Sequence, residues 1–128
     1  VTTVVILEDD LLASAALSQL LEGEGLQVRA FASTDSAYAA CVECPPDVLI
    51  ADWCVPGDIS TQRLVELLHE LNPSLRVIFT SGYEPDELRG LTRDERWMSY
   101  ISKPIPFERL VEDIRGLKET QGGSQLLG

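Results

Sequence analysis

Asp47-Val48-Leu49-Ile50-Ala51-Asp52 decides the fold. Four apolar residues in a row leave no polar face, as expected of a strand covered on both sides, the situation of parallel sheets lying between layers of helix. The run ends on a lone carboxylate, Asp52. Upstream, Val4-Val5-Ile6-Leu7 repeats the pattern and runs into Glu8-Asp9-Asp10. Downstream, Val77-Ile78-Phe79 runs into Thr80-Ser81. Shorter strands are expected from Leu26 to Phe31 and from Met98 to Ile101.

The stretches between these strands carry helical spacing. From Leu11 a helix is expected with Ala13, Leu17, Leu20 and Leu21 on one stripe, stopped by Gly23 and Gly25. Ser33 or Thr34 can cap a second helix through Ala37 and Ala40, which Pro45-Pro46 blocks. Leu64, Leu67, Leu68 and Leu71 fall at i, i+3, i+4 and i+7 of a third, closed by Asn72-Pro73. Glu84 to Arg96 is charge-rich and suggests a fourth with an exposed face. Pro106 opens a fifth carrying Phe107, Leu110, Val111, Ile114 and Leu117. Five alternations with short connections imply a single α/β domain, a doubly wound five-stranded parallel sheet with right-handed crossovers and five helices. The domain is expected over residues 1–120, with 121–128 as a flexible tail or linker.

Composition narrows the partners. The 128 residues suit one domain, and 45% apolar with 24% charged residues is ordinary for a globular protein. Acidic side chains outnumber basic ones 21 to 10, a formal charge of −11. Such a surface repels phosphate backbones and anionic lipid, so proteins and cations are the expected partners, not nucleic acid or membrane. No apolar run approaches the ~20 residues of a membrane span, and no secretory signal precedes the first strand, so a cytoplasmic location is expected. Cys41-Val42-Glu43-Cys44 has the spacing of half a zinc site or a redox pair. Only Cys54 and His69 remain as further soft ligands, and the pair lies near the end of a helix, not at the N-terminus that would stabilise a thiolate. Ordinary reduced thiols are therefore expected.

In open parallel sheets the ligand site lies beyond the carboxyl ends of the strands, near the switch in strand order. Glu8-Asp9-Asp10, Asp52, Thr80-Ser81 and Lys103-Pro104 all fall there. Singly, each has an ordinary explanation: Asp9 or Asp10 as a helix cap, Thr80 as a strand residue, Lys103 as a solvated lysine. Their joint placement at four successive strand ends is the informative feature. Clustered carboxylates repel one another unless a cation intervenes, and oxygen donors without soft ligands select Mg2+ or Mn2+. Acids, a hydroxyl and a lysine around one aspartate suit phosphoryl transfer, in which positioning and neutralisation of the phosphoryl oxygens carry most of the rate. On this reading Asp52 is the nucleophile, and the cation is held by Asp9 directly and by Glu8 through water. Lys103 pairs with the carboxylate and then the phosphoryl oxygens, and Thr80 donates its hydroxyl.

Val5-Ile6-Leu7-Glu8-Asp9-Asp10, Asp47 to Asp52, Val77-Ile78-Phe79-Thr80-Ser81-Gly82 and Ser102-Lys103-Pro104, in this order and spacing, resemble the receiver domains of bacterial two-component response regulators over about residues 3 to 118. The resemblance implies a flavodoxin-like sheet of order 2-1-3-4-5 and phosphotransfer from the phosphohistidine of a sensor histidine kinase or histidine phosphotransfer protein. It implies that the Cys54 backbone carbonyl completes the metal site and that Lys103-Pro104 is cis. Tyr100 matches the family's aromatic switch position. Thr80 closing on the phosphoryl group is coupled to an inward turn of that ring, which reshapes the face of the fourth helix, fifth strand and fifth helix for a downstream output domain or protein, or for a homodimer. Family members commonly carry a glycine just before the third helix, where Ile59-Ser60 stands here. Gly57 comes earlier, so a different loop path is expected.

Two other functions fit the same architecture. A pseudo-receiver, binding partners without phosphorylation, normally lacks the acceptor, an acid or the lysine, and all are present here. A flavin-binding electron carrier would need small hydroxyl and glycine residues after the first strand, where three acids stand.

Overall fold

The computed structural model describes residues 2–82 and 96–116. Strands β1 (Thr3–Leu7), β2 (Gln27–Phe31), β3 (Val48–Asp52), β4 (Arg76–Ser81) and β5 (Met98–Ser102) alternate with helices α1 (Leu11–Gly23), α2 (Thr34–Glu43) and α3 (Thr61–Leu71). The last helix among the described residues occupies 107–116. The five strands are all parallel and ordered β2-β1-β3-β4-β5, the flavodoxin-like arrangement. The helix expected from Glu84 and the tail after residue 120 lie outside the described residues.

Side chains along a strand alternate between faces, so each apolar run feeds two cores. Val5, Leu7, Leu49, Ala51, Val77, Phe79 and Tyr100 pack with Ala37, Cys41, Leu64, Val65 and Leu68 beneath α2 and α3. Val4, Ile6, Val48, Ile50, Ile78 and Ile101 pack on the other face with Leu21 of α1 and Leu110, Val111 and Ile114 of the last helix. Burial of both faces is the reason β1, β3 and β4 are uninterrupted apolar runs.

Helices α1, α2 and α3 each start on a side-chain cap that satisfies orphan backbone donors. The Asp10 carboxylate accepts from Leu12 N and Ala13 N, Ser33 Oγ from Ser36 N, and Ser60 Oγ from Arg63 N. The expected stripe of α1 is only partly right. Ser14 and Leu21 are buried and Leu17 is half-buried, whereas Ala13 is exposed and Leu20 is 51% exposed. Leucine and alanine surround this helix, so spacing alone does not single out its inner face. In α3 the buried stripe runs Thr61, Leu64, Val65 and Leu68, which rotates Leu71 outward.

Register brings the carboxyl ends into line. Leu7 pairs with Ala51, Asp52 with Thr80, and Ser81 with Ser102. Backbone bonds extend the alignment past the strands: Glu8 N donates to Phe31 O, Trp53 N to Thr80 O and Lys103 N to Ser81 O. The Lys103-Pro104 peptide is cis, as expected.

Candidate active site at the carboxyl edge of the sheet

β1 and β3 are neighbours, so Glu8 and Asp9 emerge beside Asp52 where the strand order switches. Carboxylate oxygens of Glu8, Asp9 and Asp52 all lie within 4.8 Å of one another. Glu8 is buried, Asp52 half-buried and Asp9 exposed. The capping role that either aspartate could have filled belongs to Asp10, and Asp9 contributes its carboxylate to the cluster instead.

Lys103 reaches across from the end of β5. Its Nζ lies 2.9 Å from Glu8 Oε1 and 3.3 Å from Asp52 Oδ2. The second Glu8 oxygen accepts from Asp10 N at 3.2 Å, which fixes that carboxylate against the start of α1. Partial burial alone would push the Lys103 ammonium down. The hydrogen bond that the ammonium donates to Glu8 and the charge of Asp52 outweigh it, and the pKa stands above the ordinary lysine value.

Thr80 is 2% exposed and directly in register with Asp52 on the neighbouring strand. Tyr100 is 1% exposed, its ring stacked on Phe79 with centroids 5.5 Å apart and its hydroxyl donating to Met98 Sδ. Cys54, two residues beyond Asp52, is exposed. The structure therefore brings Glu8, Asp9, Asp52 and Lys103 together at one point, with Thr80 one strand over. Tyr100 lies deeper in the core.

Residues missed in the sequence support this arrangement. The buried Thr61 hydroxyl donates to the Asp52 backbone carbonyl at 3.1 Å, tying the start of α3 to the end of β3. Trp53 packs edge-on against Phe79, 5.4 Å between centroids. Beside the cluster runs an apolar groove of about 330 Å³ between α1 and the β5 exit, walled by Leu17, Leu20, Ile105 and Phe107, with Glu8 and Lys103 at one end. No local pattern marks these positions, because each acts through a partner distant in sequence. Elsewhere, Cys41 is buried, Cys44 and Cys54 are exposed, and all three are free thiols. His69 stacks flat on Trp97 at 3.8 Å. Among the described residues no helix is long and apolar enough to cross a membrane.

Several acids, a lysine and a hydroxyl at the edge of a 2-1-3-4-5 sheet invite comparison with known proteins. The receiver structure from Clostridium thermocellum superposes with a TM-score of 0.84 over all of both chains at 22% identity, a likeness of fold. The CheY-like receiver of Methanospirillum hungatei JF-1 covers 95% of this chain and 98% of its own, with a TM-score of 0.79 and 26% identity. Among curated proteins, the phosphate regulon transcriptional regulatory protein PhoB of Rhizobium meliloti is 28% identical over 118 residues, covering 89% of this chain and 51% of PhoB. This chain thus spans about a quarter to a half of the length of the curated relatives it matches. The family model described as the response regulator receiver domain matches residues 4–115, nearly the whole of the sheet and its helices. The chain belongs to the response regulator receiver domain family.

Proposed function

We propose that this domain is a phosphoacceptor switch whose Asp52 takes a phosphoryl group from the phosphohistidine of a sensor histidine kinase or histidine phosphotransfer protein. The observation that carries the reading is the Lys103 ammonium held between Glu8 and Asp52, inside a group of three carboxylates within 4.8 Å.

An Asp52 carboxylate oxygen attacks phosphorus, the P–N bond to the donor imidazole breaks, and its electron pair stays on the departing nitrogen. The product is an acyl phosphate. Lys103 follows the charge from the carboxylate to the phosphoryl oxygens, and Thr80 turns its hydroxyl toward them. The Thr61 bond to the Asp52 carbonyl holds the nucleophile's backbone still, which favours a productive approach. All the clustered donors are hard oxygens, which fits Mg2+ or Mn2+; Glu8, Asp9, Asp52 and the Cys54 carbonyl would hold the ion. When bound, the cation supplies positive charge against the phosphoryl oxygens and relieves the repulsion among the three acids.

Tyr100, buried against Phe79, is the relay from Thr80 to the face that includes β5 and the last helix. That face is the contact for an output domain, a separate effector or a second copy. The apolar groove beside Lys103, with exposed Leu11 and Leu12 on the same helix, suits docking of the histidine donor. A cytoplasmic location follows from this role.

The test is intact-protein mass after incubation with a small-molecule phosphodonor and Mg2+. One phosphoryl adduct on the wild type, absent from Asp52→Asn, is expected. No adduct, with Mg2+ binding confirmed and rapid hydrolysis excluded, would refute the switch in favour of a module that binds its partners unmodified.

A further inference from the structure

The loop between β3 and α3, residues 53–60, carries Cys54 and is fastened at both ends. Trp53 N donates to Thr80 O at 2.9 Å, and Thr61 binds the Asp52 carbonyl. Its middle is built differently. Pro56 has no N–H to give, and among the described residues every hydrogen bond reaching residues 56–59 comes from or goes to the N-terminus of α2. Thr34 N donates to Pro56 O at 3.0 Å, and Thr34 Oγ1 donates to Ile59 O at 2.8 Å. Asp58 N donates to the two Asp35 carboxylate oxygens at 3.1 and 3.3 Å.

Contact reinforces these bonds. Thr34 is fully buried. Gly57, at φ +146°, presses its backbone against it so closely that a Cβ there would lie 1.8 Å from Thr34 Oγ1. Glycine is required at this bend twice over, by the backbone angle and by the neighbouring side chain. Thr34 thus grips the loop on either side of Gly57, at Pro56 and Ile59, and the first of these holds lies only two residues after Cys54.

We propose that Thr34 is a positioning residue for the metal pocket, fixing through its hydroxyl the path of the loop that presents the Cys54 backbone. This rests on the reading of the Asp52 cluster as a cation site. An isosteric Thr34→Val keeps the bulk against Gly57 and deletes the donor, leaving the Ile59 carbonyl unpartnered and the loop free to shift. Thr34→Ser keeps the donor. No other property of α2 changes, so an effect on the cation that follows the hydroxyl identifies positioning.

The experiment is titration of the domain with Mn2+ alone, following free ion by electron paramagnetic resonance, with circular dichroism verifying that each variant is folded. Loss of one buried hydrogen bond to the loop corresponds to about a three- to tenfold weaker Mn2+ affinity for Thr34→Val. Thr34→Ser is expected to bind as the wild type does. Wild-type affinity in Thr34→Val, or an equal loss in Thr34→Ser, overturns the proposal. Should Thr34→Val not fold, Asp35→Ala tests the same tie from an exposed position, and an unchanged affinity there overturns it. Failure of the wild type itself to bind Mn2+ overturns the cation reading beneath it, an outcome distinct from a variant that matches a binding wild type.

Discussion

Replacing Asp9 by Asn should stabilise the metal-free domain and abolish its response to Mg2+. The Asp9 carboxylate lies within 4.8 Å of those of Glu8 and Asp52, while Lys103 forms its ion pairs with those two and, among the described residues, none with Asp9. At that distance each like-charge pair costs about 0.9 kcal/mol in a water-like medium, so two neighbours cost about 2 kcal/mol. Physiological salt and the nearby ammonium reduce this to about 1 kcal/mol, or about 3–5 °C in Tm for a domain of this size. The assay is thermal unfolding by circular dichroism in EDTA and in Mg2+. Wild type should gain about 1.4 kcal/mol at a Mg2+ concentration ten times Kd, and Asp9→Asn nothing, so the order of stabilities reverses on adding the ion. Asp10→Ala is the control. It loses the α1 cap, should fall by about 1 kcal/mol in both buffers, and keeps the Mg2+ shift. An Asp9→Asn variant that is destabilised in EDTA, or that retains the shift, refutes the reasoning.

Two further outcomes are expected. Lys103 has a folded pKa raised above its unfolded value, so the stability it contributes is intact below the ordinary lysine pKa and disappears as pH climbs through the raised one. Alkaline unfolding should therefore show a component that Lys103→Met lacks; superimposable profiles would count against the Glu8 and Asp52 pairing. Burial raises the Cys41 thiol from 9.0 to about 11, with Arg29 pulling the other way, while Cys44 and Cys54 are exposed. A thiol reagent at pH 8 should label Cys44 and Cys54 quickly and Cys41 only after denaturant; fast labelling of Cys41 would show that its core opens readily.

The sheet was legible because burial on both faces writes continuous apolar runs, as in Val4-Val5-Ile6-Leu7 and Val48-Leu49-Ile50-Ala51. The cluster was legible for a related reason: Glu8, Asp9, Asp52 and Thr80 stand one or two residues past such runs and Lys103 directly past β5, where chain topology alone gathers them. The inner face of α1 was not, since Leu11, Leu12 and Leu20 are as apolar as Leu17 and Leu21 yet exposed. Thr34 and Thr61 were illegible as supports of the site. One meets Ile59 across 25 residues and the other the Asp52 carbonyl across nine, and nothing nearby in sequence marks a hydroxyl that donates over such distances. The early position of Gly57 is visible in the sequence. Its partner, Thr34, appears only when α2 and the loop are folded together.

The aromatic contacts give the domain an optical property. Its two tryptophans sit in unlike company: Trp97 lies flat against the His69 imidazole at 3.8 Å, whereas Trp53 meets the edge of the Phe79 ring at 5.4 Å. Trp53, the residue that follows Asp52, is therefore the indole placed beside the carboxylate cluster. Tyr100 stacks on the same phenyl ring, so tyrosine excitation lies within transfer range of that indole. Whatever binds or reacts at the Asp52 carboxylate is reported by a chromophore the chain already carries, without a label.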